Sequence, residues 1–109
     1  MTVSTHVLDA SIGRPAADVA VSLWFAGPSG GWTPVESGET DGDGRHRFGA
    51  ATEPGDYQLS FGTGAYFAGR GVAAFYPEVM ITFTVTDPGA HYHVPLLLSP
   101  FAYSTYRGS

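Results

Sequence analysis

The spacing in this chain best suited to chemistry is His91-Tyr92-His93. Residues i and i+2 of a strand project to the same side, so the two imidazoles would stand together. Such a pair could supply two of the three histidine ligands of a catalytic zinc, or a base that titrates near neutral pH. The plainer alternative is two solvated histidines. His6 stands alone in Ser4-Thr5-His6-Val7-Leu8-Asp9 and by itself is as readily structural as functional. Asp41-Gly42-Asp43-Gly44 has the opening of a calcium loop, but Arg45 stands where the third acidic or amide ligand is needed, so calcium is rejected. The simpler reading is a tight turn in which Asp and Gly supply left-handed conformations. That turn would project Arg45 from a fixed base, and a guanidinium fork suits a planar anionic or carbonyl-bearing ligand.

Composition removes other chemistries. The chain has 109 residues, no cysteine, and 10 acidic against 5 basic residues, for a net charge of −5. Without cysteine there is no disulfide, thiolate nucleophile or cysteine-based zinc site. All five basic residues are arginines (14, 45, 47, 70 and 107), so a Schiff-base lysine and a P-loop lysine are excluded. The acidic balance disfavours a nucleic-acid or anionic membrane surface. No basic-then-apolar leader and no apolar run of bilayer length is visible, so a soluble, cytoplasmic protein is expected. A single domain of this size buries about 65% of its unfolded surface, an adequate core.

The elements that must position these residues are short. Fifteen Gly and eight Pro punctuate the chain every eight to twelve residues, the spacing of many short strands. Alternation of period two predicts strands at Ser4–Asp9, Val19–Phe25, Trp32–Ser37, Arg45–Phe48, Tyr57–Phe61, Val79–Val85, His91–Leu98 and Tyr103–Tyr106. Gly13–Ala16, Gly38–Gly44 and Pro54-Gly55 read as turns, and Thr63–Arg70 as one short helix stopped near Gly69 or Gly71. In the His91 strand, Tyr92, Val94, Leu96 and Leu98 form the apolar face, so His91 and His93 look outward. Pro95 cannot donate to a ladder, and a missing hydrogen bond or a local irregularity is expected there. Eight strands and one helix predict an all-β, antiparallel β-sandwich of two four-stranded sheets.

Taken together, these segments resemble the transthyretin-related 5-hydroxyisourate hydrolases. The resemblance is carried by Ser4–Asp9, Gly13–Ala16, Thr40–Arg45, Thr63–Phe67, Phe75–Val79 and almost all of His91–Ser109, with Tyr106-Arg107-Gly108-Ser109 the most specific piece. Asp18 (where Gly is usual), Phe101-Ala102 and the extra His46 depart from the pattern and touch no residue with a family role. The resemblance implies a transthyretin-like sandwich assembled as a homotetramer, in which subunits pair edge strands and active sites lie between stacked dimers. It implies hydrolysis of a ring amide of 5-hydroxyisourate to 2-oxo-4-hydroxy-4-carboxy-5-ureidoimidazoline, with no cofactor or metal. It carries over His6, Arg45, His93 and Ser109 as catalytic residues and His6, Arg45 and Tyr106 as substrate-binding residues. On that pattern His93, paired with His6, would activate water. Arg45 would hold the substrate and stabilise charge on its carbonyl. Ser109 would orient water or a histidine through its hydroxyl or carboxylate, and Tyr106 and Arg107 would hold the tail. Which group is the base stays open, and His91 has no assigned task. Two rivals differ in class: a non-catalytic, transthyretin-like carrier of an aromatic ligand, and a zinc hydrolase using His91 and His93.

Overall fold

A computed structural model describes residues 2–49 and 53–109. Within them the alternating segments form nine strands and one helix: β1 (Thr2–Asp9), β2 (Arg14–Pro15), β3 (Ala20–Ala26), β4 (Trp32–Glu39), β5 (Arg45–Phe48), β6 (Gly55–Phe61), α1 (Thr63–Gly69), β7 (Val79–Val85), β8 (His91–Ser99) and β9 (Ala102–Thr105). They pack as the expected two-sheet sandwich, but one sheet has five strands rather than four because Arg14–Pro15 adds a short edge strand. One sheet runs β4-β3-β6-β7. The other runs β2-β1-β8-β9, with β5 also pairing to β1. Alternation decides which side faces in. Val3, Val7, Leu23, Leu59, Leu96 and Phe48 are fully buried between the sheets, each contributing about 1.5–3 kcal/mol over an exposed position.

Three details differ from the pattern read in the sequence. Arg14–Pro15 is a two-residue strand rather than only a turn, pairing Pro15 with Leu8 and Arg14 with Asp9. It sits at a sheet edge, where a proline costs no ladder bond. β4 continues through Gly38 and Glu39, and a register shift skips Val35 so that Pro34 lies opposite Trp24 and Glu36 opposite Leu23. Most consequential for the site, β1 and β8 are parallel, from Thr2 opposite His91 to Asp9 opposite Leu98, whereas every other named pair is antiparallel. Of the two outcomes expected at Pro95, the local irregularity does not occur in the β1 pairing, where the register runs unbroken from one end to the other. Pro95 lies just outside the β9 ladder, which pairs only from Leu96 onward, and its carbonyl accepts a bond from Thr105 Oγ1 at 2.7 Å.

Polar bonds hold β1 in place. The buried Thr5 hydroxyl donates to the Val94 carbonyl at 2.7 Å, tying β1 to β8 from inside. Asp9, also buried, accepts from the Ser11 backbone N–H at 3.0 Å and from the Tyr66 hydroxyl at 2.8 Å. Burial first, and then the Asp9 carboxylate, push the Tyr66 hydroxyl up to about 12, so it remains a donor at any ordinary pH. Tyr66 belongs to α1, and this bond pins the helix to the end of β1. The helix stops as its glycine predicts: Gly71 is left-handed at φ 71°. The N–H groups of Gly71 and Val72 return to the carbonyls of Ala68 and Phe67 at 3.0 and 2.9 Å, a Schellman closure.

Candidate active site

The parallel pairing builds one polar face on the outside of the five-stranded sheet. Directly paired residues of adjacent strands share a face. Ser4 therefore stands beside His93 and Thr2 beside His91, while His6 stands beside Arg45 and Ser4 beside Arg47 on the opposite flank of β1. Three of the residues singled out in the sequence, His6, Arg45 and His93, thus meet on one surface from three strands. A shallow cleft of about 260 Å³ lies over the Arg45 and His93 part of it, lined by Arg45, Arg47, His91, His93, Asp41 and Ser4 but not by His6.

Arg45 is held as the turn chemistry requires. Gly44 is left-handed at φ 76°, and a Cβ there would collide with the Val7 carbonyl oxygen. The Gly44 N–H bonds to the Asp41 carbonyl at 2.9 Å. The Asp41 carboxylate accepts the N–H groups of Asp43 at 2.9 Å and Arg45 at 3.0 Å. The Arg45 bond is the main reason the Asp41 carboxyl lies below its ordinary range, with the nearby Arg45 and His6 charges adding to it. Asp41 therefore stays ionised and closes the turn from which Arg45 projects.

His93 has a partner that the sequence pattern does not reveal. Its Nδ1 lies 2.8 Å from Ser4 Oγ, and the same hydroxyl lies 2.9 Å from His91 Nε2. His91 Nδ1 in turn bonds Thr2 Oγ1. The two imidazoles lie nearly parallel, 16° apart in plane and 6.5 Å between centroids. His6 is not the residue that bonds His93. It is one pleat further along β1, opposite Pro95, a step of about 6.6 Å. Burial first, and then the charges of Arg45, His91 and His6, lower the His93 pKa from 6.5. The ring is thus neutral at neutral pH, with one nitrogen available to take a proton.

The C-terminal segment closes on His93 from the other side. The Gly108 N–H bonds the His93 carbonyl at 2.9 Å. A Cβ on Gly108 would come within 2.5 Å of the His93 ring, so only glycine allows this approach. The Arg107 guanidinium stacks over the Tyr92 ring, 4.7 Å from its centroid, which docks the tail by a cation–π contact. Tyr106 is 59% exposed and does not reach the Arg45 side. It lines a second cavity of about 240 Å³ with Arg107, Thr105, Ile81 and Phe83, and His93 forms the wall between the two. Ser109 follows Gly108 and is exposed, and its hydroxyl makes no hydrogen bond among the described residues. Ser4, Thr2, Asp41 and Arg47 are the additions to the expected set. Parity puts Ser4 on the His6 face, since it precedes His6 by two, but does not put it beside His93.

Among the described residues no group of three His, Cys, Asp or Glu side chains is arranged to hold a metal. Both ring nitrogens of His91 are engaged by hydroxyls. What the face offers is a neutral imidazole, two further imidazoles and two guanidiniums: the parts needed to activate water and stabilise an anion.

Comparison with known proteins places these features in a family context. Residues 3–108 match the model of the HIUase/Transthyretin family. The chain is 45% identical over 109 residues to a 5-hydroxyisourate hydrolase of Salmonella typhimurium, covering 97% of this chain and 79% of that protein. The structure of Klebsiella pneumoniae 5-hydroxyisourate hydrolase superimposes with a TM-score of 0.88 at 40% identity, over 100% of both chains. Sea bream transthyretin, solved in complex with thyroxine, also gives a TM-score of 0.88, at 34% identity over 97% of this chain and 93% of that one.

Proposed function

From its place in the HIUase/transthyretin family, to which this chain belongs, we infer that the protein is a 5-hydroxyisourate hydrolase. It hydrolyses the ring amide of that purine catabolite to 2-oxo-4-hydroxy-4-carboxy-5-ureidoimidazoline. The observation that carries this reading is the convergence of His6, Arg45 and His93 on one face in a chain 45% identical to a hydrolase of that name. In the mechanism, water is bound against His93, whose neutral ring accepts its proton as the oxygen attacks the carbonyl carbon. Arg45 donates to the carbonyl oxygen as it becomes an oxyanion. His6, opposite Arg45, binds the substrate ring. The ring C–N bond then breaks, and the proton held by His93 passes to the departing nitrogen. Ser109, which follows Gly108 on the docked tail, orients the water or a histidine, and Tyr106 meets the substrate from the adjoining cavity beyond His93.

The carrier reading draws on the likeness to a transthyretin solved with thyroxine. A carrier has no need of a neutral histidine bonded to a serine beside a fixed arginine, so the hydrolase is favoured. Mixing the protein with freshly generated 5-hydroxyisourate should speed the decay of its absorbance well above the spontaneous rate. An unchanged decay would leave the carrier.

The assembly proposed with this function is a homotetramer. β7 and β9 end their sheets with free edges, and Phe75, Phe101, Tyr103, Tyr106 and Met80 stand exposed on or near them. Unpaired, apolar edges of this kind are what pairing between copies would cover. Light scattering should return a mass four times the 11.5 kDa protomer; a monomer mass would refute the assembly.

A further inference from the structure

We propose that Arg47 is a substrate-binding residue of the hydrolase, donating to the carbonyl oxygen of the substrate ring that stays closed, at the end away from the amide that opens. The proposal rests on the hydrolase reading and adds a specificity contact to it. Its structural basis is the order of side chains across the outer face of the five-stranded sheet. Directly paired residues of adjacent strands form rows there. One row is Arg47, Ser4 and His93, from β5, β1 and β8; the next is Arg45, His6 and Pro95. Arg47 and His93 therefore stand in one row with a single residue between them. Their strands lie two spacings apart, about 9.6 Å. Ser4, the residue between, is short, and its hydroxyl is engaged by His93 Nδ1 at 2.8 Å. All three residues of the row line the cleft of about 260 Å³.

The Arg47 guanidinium has no carboxylate partner among the described residues, and the residue is exposed. The one carboxylate lining the cleft, Asp41, already accepts the backbone N–H groups of Asp43 and Arg45. The base of the side chain is nevertheless fixed. On one flank β5 is laddered to β1. From the opposite face of β5, His46 Nδ1–H donates to the Glu39 carbonyl of β4 at 3.2 Å. The ring fits there because Gly38 has no Cβ to meet it. Just past β5, the Gly49 N–H donates to the Glu36 carboxylate at 3.1 Å. Arg47 is thus a fork of five N–H donors on an anchored strand, facing a cleft and unpaired within the chain, which suits it to an acceptor on a ligand.

The reaction identifies that acceptor. The product keeps an imidazoline ring bearing a 2-oxo group, while the amide that opens yields the carboxy and ureido groups. The substrate therefore carries a carbonyl on the ring that is not opened, remote from the reacting one. The two arginines of β5 divide the molecule between them. Arg45 acts on His93, lowering its pKa after burial does, and Arg47 is not among the charges that contribute. With the reacting carbonyl held between His93 and Arg45, the closed ring extends along the cleft to Arg47, whose fork donates to its oxo oxygen. That carbonyl does not change during hydrolysis, so the contact is the same in the bound substrate and in the transition state. It contributes to binding and leaves the chemical step alone. A single-ring amide would miss it.

The test uses the full chain and 5-hydroxyisourate. Arg47→Ala should raise KM about 10-fold, the lower end for losing a hydrogen bond from a charged donor, with kcat within about twofold of the parent. Arg47→Lys, which keeps a charged donor, should recover part of the loss. The KM ratio between the alanine variant and the parent should persist in about 0.5 M sodium chloride, where charges act over only about 4 Å, because a direct contact survives screening. Wild-type protein without activity would remove the hydrolase reading itself. Active wild-type protein, with KM unchanged in Arg47→Ala, would overturn the role of Arg47 alone. So would a fall in kcat at unchanged KM, which would place Arg47 at the reacting atoms. A KM ratio that vanishes in salt would overturn it too, by reducing Arg47 to long-range attraction.

Discussion

Replacing His93 with Ala should lower kcat by about 10²–10⁴-fold, the range expected for loss of a positioned general base, while the far-ultraviolet circular dichroism stays that of the parent. The fold should survive because His93 projects from the outer face of β8. The inward neighbours Tyr92 and Val94 hold the strand, and the Gly108 bond is to the His93 backbone carbonyl, which alanine keeps. The pH dependence follows from the lowered pKa of the ring. A base works when unprotonated, so the wild-type rate should climb with pH and reach its plateau at a lower pH than for an ordinary histidine. Stability should follow the same sign. The unfolded chain binds this proton more readily than the folded one, so the contribution is fully present above about pH 6.5 and is lost as pH falls through the folded pKa. His93→Ala should flatten that part of both profiles. A variant turning over at the wild-type rate would remove His93 from the mechanism.

Arg45→Ala should cost about 10²–10³-fold in kcat, the size seen when one oxyanion donor is removed, and should also raise KM because the same fork grips the substrate. Arg45→Lys should recover little, since an ammonium cannot reproduce two donors in one plane. The turn should remain intact in both, because Asp41 accepts the backbone N–H of residue 45 and not its side chain. Measuring initial rates beside thermal melting separates the two effects. A loss of activity accompanied by an equal loss of melting temperature would mean that Arg45 serves the turn, not the reaction.

The faces of the strands were legible from alternation alone. Tyr92, Val94, Leu96 and Leu98 are buried and His91 is exposed, as the period of two requires, while Pro95 on the outward face is buried as well. The turn that carries Arg45 was legible too, because Asp and Gly at fixed offsets leave few conformations open. What alternation cannot supply is the neighbour. It states that Ser4 and His6 share a face, but not which of them stands beside His93. That choice depends on a parallel register between strands far apart in the chain, and nothing local encodes it. The effect of Pro95 depends on the same choice of neighbour: its cost is set by which ladder its nitrogen faces, and β9 begins pairing one residue later. The Gly108 contact was hidden because a glycine in sequence signals freedom of the backbone, whereas here the missing Cβ makes room for a ring.

The pairing of β1 with β8 also governs when the molecule becomes competent. Ser4 and His93 are separated by 89 positions, and closing a loop of that length costs about 4 kcal/mol of chain entropy before any contact repays it. A protein whose central sheet depends on such distant partners has a high contact order and folds slowly for its size. During synthesis, β1 must wait at the surface of the ribosome with its flank unpaired until β8 emerges. The chemistry of this chain is consequently the last of its properties to be acquired, and any event that detaches its earliest strand should silence it before the rest of the sandwich melts.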